Sequence, residues 1–470
     1  MFVLESVLTE GIAQLSYLVA DTELGTAAVI DPRTDVEIYD ELARKHGVSI
    51  THIFETHIHA DFVSGSRSLA DRVGTAKIYL SGEHADYKFD GLKVKDKQKF
   101  DFGSFLLTAR HTPGHTPEHM AFLLSETKRP DQPWAICTGD SLFVGSAGRP
   151  DLLGTDESEA LAKLLHDTLY SFFLKLEDYI TIFPGHGAGS ACGADIGDRL
   201  TSTIGYERRT NEFLSFPNFE TFREYVLDAP PVPWHYAELK KVNAAGPKVM
   251  DRLPTIPGLR PDQFRKVARE AGVTLIDTRS MLAYGGGHVP GAINIGDRSE
   301  MSAWTGHMFD LDERLLLVVD SDKELDRVQR LIVRSGHAEF VGYLAGGMKA
   351  WETAGLPLER MEQMTVSELH EKLNSRSCPT ILDVRSPSEW EAGNIPGAKH
   401  HFLGDMRDRI TGLDKEKHYV TYCASGYRAS IAASLMKSRG FKHVSNIPGS
   451  WNAWVAAGYP TEKDSKVSHV

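Results

Sequence analysis

The sequence predicts an α/β protein of about three folding units, and three observations carry that expectation. Short apolar strands alternate with amphipathic helices through the first half. A proline-dense stretch beginning at Asp228 then breaks the periodicity. Beyond it the chain repeats itself, each copy long enough to bury a core of its own.

In chain order, Leu15–Ala20 and Ala27–Ile30 read as paired strands, Val36–His46 as a helix stopped by Gly47, and Ile50–Thr56 as the next strand. Met120–Leu124, Trp134–Thr138 and Tyr179–Phe183 follow as strands, with a helix over about Ser158–Leu176. The proline-dense stretch sets a boundary, so a first domain is expected over 1–245 and a second from 255. In the repeat, LIDTRS at Leu275 matches LDVRS at Leu382, and HVPGA at His288 matches NIPGA at Asn394. Asp277 and Asp383 stand 106 residues apart, as do Gly291 and Gly397, whereas Trp351 and Trp454 stand 103 apart. Two homologous domains, 255–360 and 361–463, account for this, with a few residues' difference between their middles.

Composition narrows the function classes. Hydrophobic residues make up 41%, charged residues 25%, and the formal charge is −12. These values describe an ordinary globular chain and argue against a nucleic-acid or anionic-membrane binder. No apolar run approaches bilayer length and the N-terminal segment lacks a basic-then-apolar pattern, so a cytoplasmic location is expected. Cys137, Cys192, Cys378 and Cys423 are too few for a disulfide framework, which fits a reducing compartment and individual thiol chemistry.

Several strands of the first domain end in residues that can hold a metal. THIHADF carries His57, His59 and Asp61; HTPGHTPEH carries His115 on a Pro-Gly turn; ICTGDSLF carries Asp140; FPGHG carries His186. One histidine alone would read as a structural residue, but four strand-end segments each delivering a ligand point to a metal site. In order and spacing these segments resemble the metallo-β-lactamase superfamily, which implies an αβ/βα sandwich with the metal at one edge. The dinuclear hydrolases of that superfamily carry a histidine directly after the aspartate of HxHxD. Here the residue is Phe62, which removes a donor for a second metal. The sequence is similar to the persulfide dioxygenase branch. That resemblance implies one Fe(II) per chain on His57, His115 and Asp140, with His59, Asp61 and His186 beside it without ligating. Arg149, in GDSLFVGSAGRPD, would hold a carboxylate or phosphate of a thiol carrier, or else form an ion pair with Asp151. Cys192, shortly after His186, is either an accessory thiol near the substrate or a packing residue.

In the last domain Cys423 sits in YCASGYRAS between an apolar strand, His418–Tyr422, and a helix, Ala429–Arg439. A short strand-to-helix loop can curl its amides around one point, and with Arg428 at its end it favours a thiolate and an oxyanion. CASGYR, DVRSPSEWEAGNIPGA and GSWNAW together resemble the rhodanese sulfurtransferases. The middle copy shares the frame but has no cysteine, and Asp or Ser is expected where the nucleophile would stand. The whole chain thus resembles persulfide dioxygenase–rhodanese fusions. That implies oxidation of a glutathione or coenzyme A persulfide by O2 to sulfite and thiol, coupled to transfer between persulfide, sulfite and thiosulfate at Cys423, in a homo-oligomer. The alternatives are a zinc hydrolase of the hydroxyacylglutathione type and a non-catalytic sulfur-trafficking module.

Overall fold

Strands of the first half assemble into two facing six-stranded sheets. The computed structural model describes residues 1–463 apart from Leu153, Pro230, Asn374, Arg376 and Ser377. It divides into residues 1–253 with 333–336, and the remainder from Pro254.

In the first unit one sheet holds, in spatial order, Phe2–Thr9 (β1), Gln14–Asp21 (β2), Thr26–Ile30 (β3), Ser49–Phe54 (β4), Lys77–Ser81 (β5) and Leu92–Val94 (β6). The other holds Lys99–Asp101 (β7), Phe105–His111 (β8), Met120–Glu126 (β9), Pro133–Gly139 (β10), Thr181–Pro184 (β11) and Ser202–Thr203 (β12), again neighbours in chain order. Every residue of β2 is buried, because both faces of its sheet are covered. Leu15, Tyr17 and Val19 turn inward to meet Phe54, Phe105 and Phe122 between the sheets. Leu18 and Ala20 turn outward to Tyr39 and Leu69, on helices Glu37–His46 (α1) and Ser66–Val73 (α2). On the outer face of the second sheet, Leu123 and Ile136 pack with Leu165 of Thr155–Ser171 (α3), Ile204 of Ile204–Thr210 (α4) and Phe222 of Phe219–Leu227 (α5). The result is the expected αβ/βα sandwich.

Among the departures from the sequence reading, two bear on the site. β4 stops at Phe54, because Asp31 captures both the amide and the hydroxyl of Thr56 and bends the chain out of the ladder. The proline-dense segment also contains a helix, His235–Ala245 (α6), whose weak amphipathic pattern hid it. No helix among the described residues is long and apolar enough to cross a membrane.

The repeat builds two parallel five-stranded sheets of identical topology. The first contains Gly258–Leu259 (β13), Val273–Asp277 (β14), Ile293–Asn294 (β15), Arg314–Val318 (β16) and Phe340–Leu344 (β17), in the order β13-β17-β16-β14-β15. The second contains Glu362–Gln363 (β18), Thr380–Asp383 (β19), Lys399–His400 (β20), His418–Tyr422 (β21) and His443–Asn446 (β22), in the order β18-β22-β21-β19-β20. One apolar core runs through both copies, joining Ile276 and Leu317 to Leu403, Ala429 and Ala433.

Each copy is pinned by the same buried ion pair. Arg279 forks onto Asp277 and reaches the Gly287 carbonyl at 2.8 Å; Arg385 forks onto Asp383 and reaches the Gly393 carbonyl at 2.7 Å. The Arg385 and Asp383 side chains are only 2% and 0% exposed. Removing one partner strands the other charge in the interior. Asp383→Ala should therefore lower stability by about 3–5 kcal/mol, read as a fall in the urea midpoint of the transition that includes the repeat.

Candidate functional site

The loop after β4 is held from several sides before its histidines matter. Asp31, in the left-handed region at φ 51°, accepts the Thr56 amide at 2.7 Å and the Thr56 hydroxyl at 2.8 Å. Glu118 accepts the Ile58 amide at 2.9 Å. Asn243 of α6 donates to the carbonyls of His59 and Phe62 at 2.8 and 2.7 Å and accepts the Ser64 amide at 2.9 Å.

This scaffold selects the ring tautomers. The Thr56 hydroxyl gives its proton to Asp31, so its oxygen accepts His57 Nδ1–H at 2.9 Å. His115 Nδ1–H is likewise spent on the Arg149 carbonyl at 3.0 Å. Both rings are left with an Nε2 lone pair, and these face Asp140 Oδ2 at 3.9 and 3.5 Å. Burial lowers the pKa of both histidines, keeping them neutral. Asp140 Oδ1 meets His186 Nδ1 at 2.9 Å, and His186 Nε2 meets Asp61 at 2.7 Å. Burial opposes a charge on His186, but Asp140 and Asp61 outweigh it and raise its pKa to about 10. Burial likewise opposes ionisation of Asp140, yet the charge and the hydrogen bond of His186 hold its carboxyl well below the usual range. Asp140 Oδ2 is buried and accepts no hydrogen bond. Two neutral imidazoles and an ionised, unpartnered carboxylate oxygen, all mutually within 4.8 Å, fit a divalent transition-metal ion.

The remaining candidates fall elsewhere. His59 turns from this trio, and its Nε2 lies 3.2 Å from both Asp31 and Glu55. Phe62 is 1% exposed and packs its ring 4.4 Å from that of His59. Cys192 joins Asp61 and His186 in a second cluster, where burial and the Asp61 and Asp140 charges push its thiol pKa well up. The Arg149 guanidinium is forked onto Asp151 at 2.7 and 2.6 Å, the ion-pair alternative for that residue. His119 escaped the sequence reading although it stands in HTPGHTPEH. Its Nε2 accepts the Asp140 amide at 2.9 Å, fixing the backbone that aims the carboxylate. Asn243 and Asp31 left no comparable mark in the sequence.

In the last copy Cys423 directly follows β21. The Gly426 amide donates to Cys423 Sγ at 3.1 Å, and the Cys423 amide donates to the Ser450 hydroxyl at 3.2 Å. Gly426 has φ 106°, a value glycine tolerates, and caps helix Tyr427–Ser438. Arg428 is forked onto Glu389 at 2.6 and 2.7 Å, so its charge is shared with a carboxylate. Glu389 belongs to the capping box Ser386–Glu389, a signal that was present in RSPSE. Strand register corrects the expectation for the middle copy. Asp277 pairs with Val318 as Asp383 pairs with Tyr422, so the residue at the nucleophile position is buried Val319, with Asp320 and Ser321 one and two places later.

Comparison with known proteins agrees with this division. A metallo-beta-lactamase superfamily model matches residues 10–186, and a rhodanese-like domain model matches 260–354 and 365–457. The mitochondrial persulfide dioxygenase ETHE1 of Homo sapiens is 31% identical over 204 residues, covering 43% of this chain and 71% of that protein. A hydroxyacylglutathione hydrolase of Synechococcus sp. is 30% identical over 216 residues, covering 42% and 82%. The crystal structure of a metallo-beta-lactamase from Staphylococcus aureus subsp. aureus COL superposes with a TM-score of 0.65 at 34% identity, covering 73% of this chain and 98% of that one.

Two outcomes follow from these contacts. Asn243→Ala leaves the metal-motif loop without its clamp and should cost about 3 kcal/mol, with lower metal content in the purified protein; unchanged unfolding and metal content would refute the clamp. Burial opposes ionisation of Glu389, but Arg428 outweighs it and lowers the pKa from 4.5 to about 2. A depressed carboxylate stabilises the fold above its unfolded value and loses that contribution as pH falls through the folded one. The stability difference between the parent and Glu389→Gln should therefore be full above pH 4.5 and gone near pH 2, as followed by urea unfolding.

Proposed function

The chain belongs to the metallo-β-lactamase superfamily and continues that domain with two rhodanese-like domains, and from this premise we propose that it is a mononuclear iron dioxygenase for low-molecular-weight persulfides joined to a sulfurtransferase. The observation that carries the reading is the open Asp140 Oδ2 between two neutral imidazoles, beside a Phe62 that offers no donor for a second metal. Two histidines and one carboxylate leave coordination positions free for substrate and oxygen. Fe(II) bound there would supply the one-electron chemistry that lets O2 react with a persulfide sulfur.

His57 and His115 present lone pairs in a fixed orientation, and Asp140 supplies negative charge. The His186 imidazolium keeps a proton between Asp61 and Asp140, so neither carboxylate repels an anionic persulfide at full strength. For a glutathione or coenzyme A persulfide RSSH the reaction is RSSH + O2 + H2O → RSH + sulfite + 2 H+. The Cys423 thiolate takes the outer sulfur of a second RSSH, breaking its S–S bond and releasing RSH, and holds it as a persulfide with the Gly426 amide directed at its Sγ. Attack of sulfite on the outer sulfur forms the S–S bond of thiosulfate and returns the Cys423 thiolate, and the reverse reaction regenerates the persulfide. Four free cysteines suit a reducing cytoplasm.

The test is metal analysis and an oxygen electrode with glutathione persulfide. About one iron per chain and oxygen uptake are expected, with Asp140→Ala losing both. Cys423→Ser should keep uptake and lose transfer between thiosulfate or persulfide and sulfite. Two zinc ions with thioester hydrolysis and no uptake would establish the hydrolase instead, and transfer without any uptake a trafficking module.

A further inference from the structure

The thiol-less copy sets buried polar groups against the helix that begins behind Cys423. Asn294 of β15 spends both amide hydrogens within its own copy, on the carbonyls of Asp277 and Arg279 at 2.9 and 2.8 Å. That fixes the orientation of its side chain. Its Oδ1 accepts the Ser430 hydroxyl at 2.6 Å, and its backbone amide donates to the Ser434 hydroxyl at 2.9 Å. Asn294, Ser430 and Ser434 are all buried, so these bonds are made away from water, where an unmade one is costly.

One turn nearer the thiol, Tyr427 opens the helix and donates its hydroxyl to the Gly296 carbonyl at 3.0 Å. The Arg298 guanidinium lies over the same ring, 5.2 Å from its centre. A Cβ on Gly426 would come within 2.8 Å of Met281 Sδ, so this residue of the thiol-less copy backs the turn whose amide points at Cys423 Sγ. Gly426 is therefore gripped from behind by Met281 and from below by a helix that Asn294 and Gly296 hold in place.

We propose that the thiol-less copy is a positioning partner of the sulfur-carrying one: Asn294, the Gly296 carbonyl and Met281 fix the first turns of helix Tyr427–Ser438 so that the loop amide stays on the Cys423 sulfur. None of the three is a catalytic residue, since none touches the transferred sulfur. The inference rests on the reading of Cys423 as the sulfur carrier. It gives a role to the few buried polar contacts that a copy with Val319 in place of a nucleophile sets into the otherwise apolar core it shares with the last copy.

The experiment uses the full chain with Tyr427→Phe, which removes one hydroxyl and keeps the ring, and with Asn294→Ala. Three quantities are read: Cys423 alkylation by iodoacetamide at fixed pH, followed by mass spectrometry; kcat and KM for sulfur transfer from thiosulfate to sulfite-free cyanide; and thermal unfolding. For Tyr427→Phe, alkylation and kcat are expected to fall about fivefold, the scale of one lost hydrogen bond, with KM unchanged. Asn294→Ala should fall at least as far. A folded Tyr427→Phe protein with alkylation rate and kcat equal to the parent's overturns the proposal, as does a loss confined to KM. If the parent itself forms no persulfide at Cys423 with thiosulfate, the underlying reading of Cys423 fails instead, a result distinguishable from the first two.

Discussion

The Asp140 carboxylate is divided between two tasks, and the first unit is arranged around that division. Oδ1 is tied to His186, while Oδ2 is withheld from every hydrogen-bond donor and set before two imidazole lone pairs. A buried carboxylate oxygen left this way is expensive unless a cation completes it. The surrounding backbone is built to make room, since a Cβ on Gly185 would clash with Asp140 Oδ1 and one on Gly148 with the Asp140 carbonyl. His119, at the Asp140 amide, then fixes the direction in which the open oxygen points.

The repeat shows which parts of a domain serve the frame and which serve the chemistry. Both copies keep the Arg–Asp fork, the strand order and the closing tryptophan, because losing any of them would uncover the core. The nucleophile position answers to a different demand. A residue at the end of β16 needs only to be apolar to finish packing, and Val319 does so. At the end of β21 the same place carries a thiol, together with a glycine that allows the amide to turn back on the sulfur.

The fold was legible wherever a local pattern sufficed. Short apolar runs announced β2 and β3, Gly47 announced the end of α1, and the recurrence of DTRS and DVRS announced the duplication. The candidate trio His57, His115 and Asp140 was legible as residue types at strand ends, but that His59, two residues from His57, turns to Asp31 and Glu55 was not. What the sequence could not disclose were contacts closed over long separations. Asn243 reaches back some 180 residues to the loop of His59, and Glu389 crosses to Arg428 from another element. Such pairs leave no periodic trace, and Asn and Glu are common enough on surfaces that neither attracts notice. The missing nucleophile was misplaced by one or two residues because only strand register, not composition, says which residue follows the last rung.

Under the proposed function, the two kinds of cysteine environment keep the two sulfur chemistries apart. Cys192 is enclosed beside two carboxylates, which keep its sulfur protonated and poorly nucleophilic. Cys423 is also buried, but an amide hydrogen rather than an oxygen is directed at it, so negative charge on sulfur is met by a donor. The proposed sulfite-forming step in the first unit would therefore meet no competing nucleophile at its own centre, and its product would be the acceptor for the proposed transfer at Cys423. Because sulfite and the thiol are small and diffusible, coupling needs only that one reaction's product be the other's substrate.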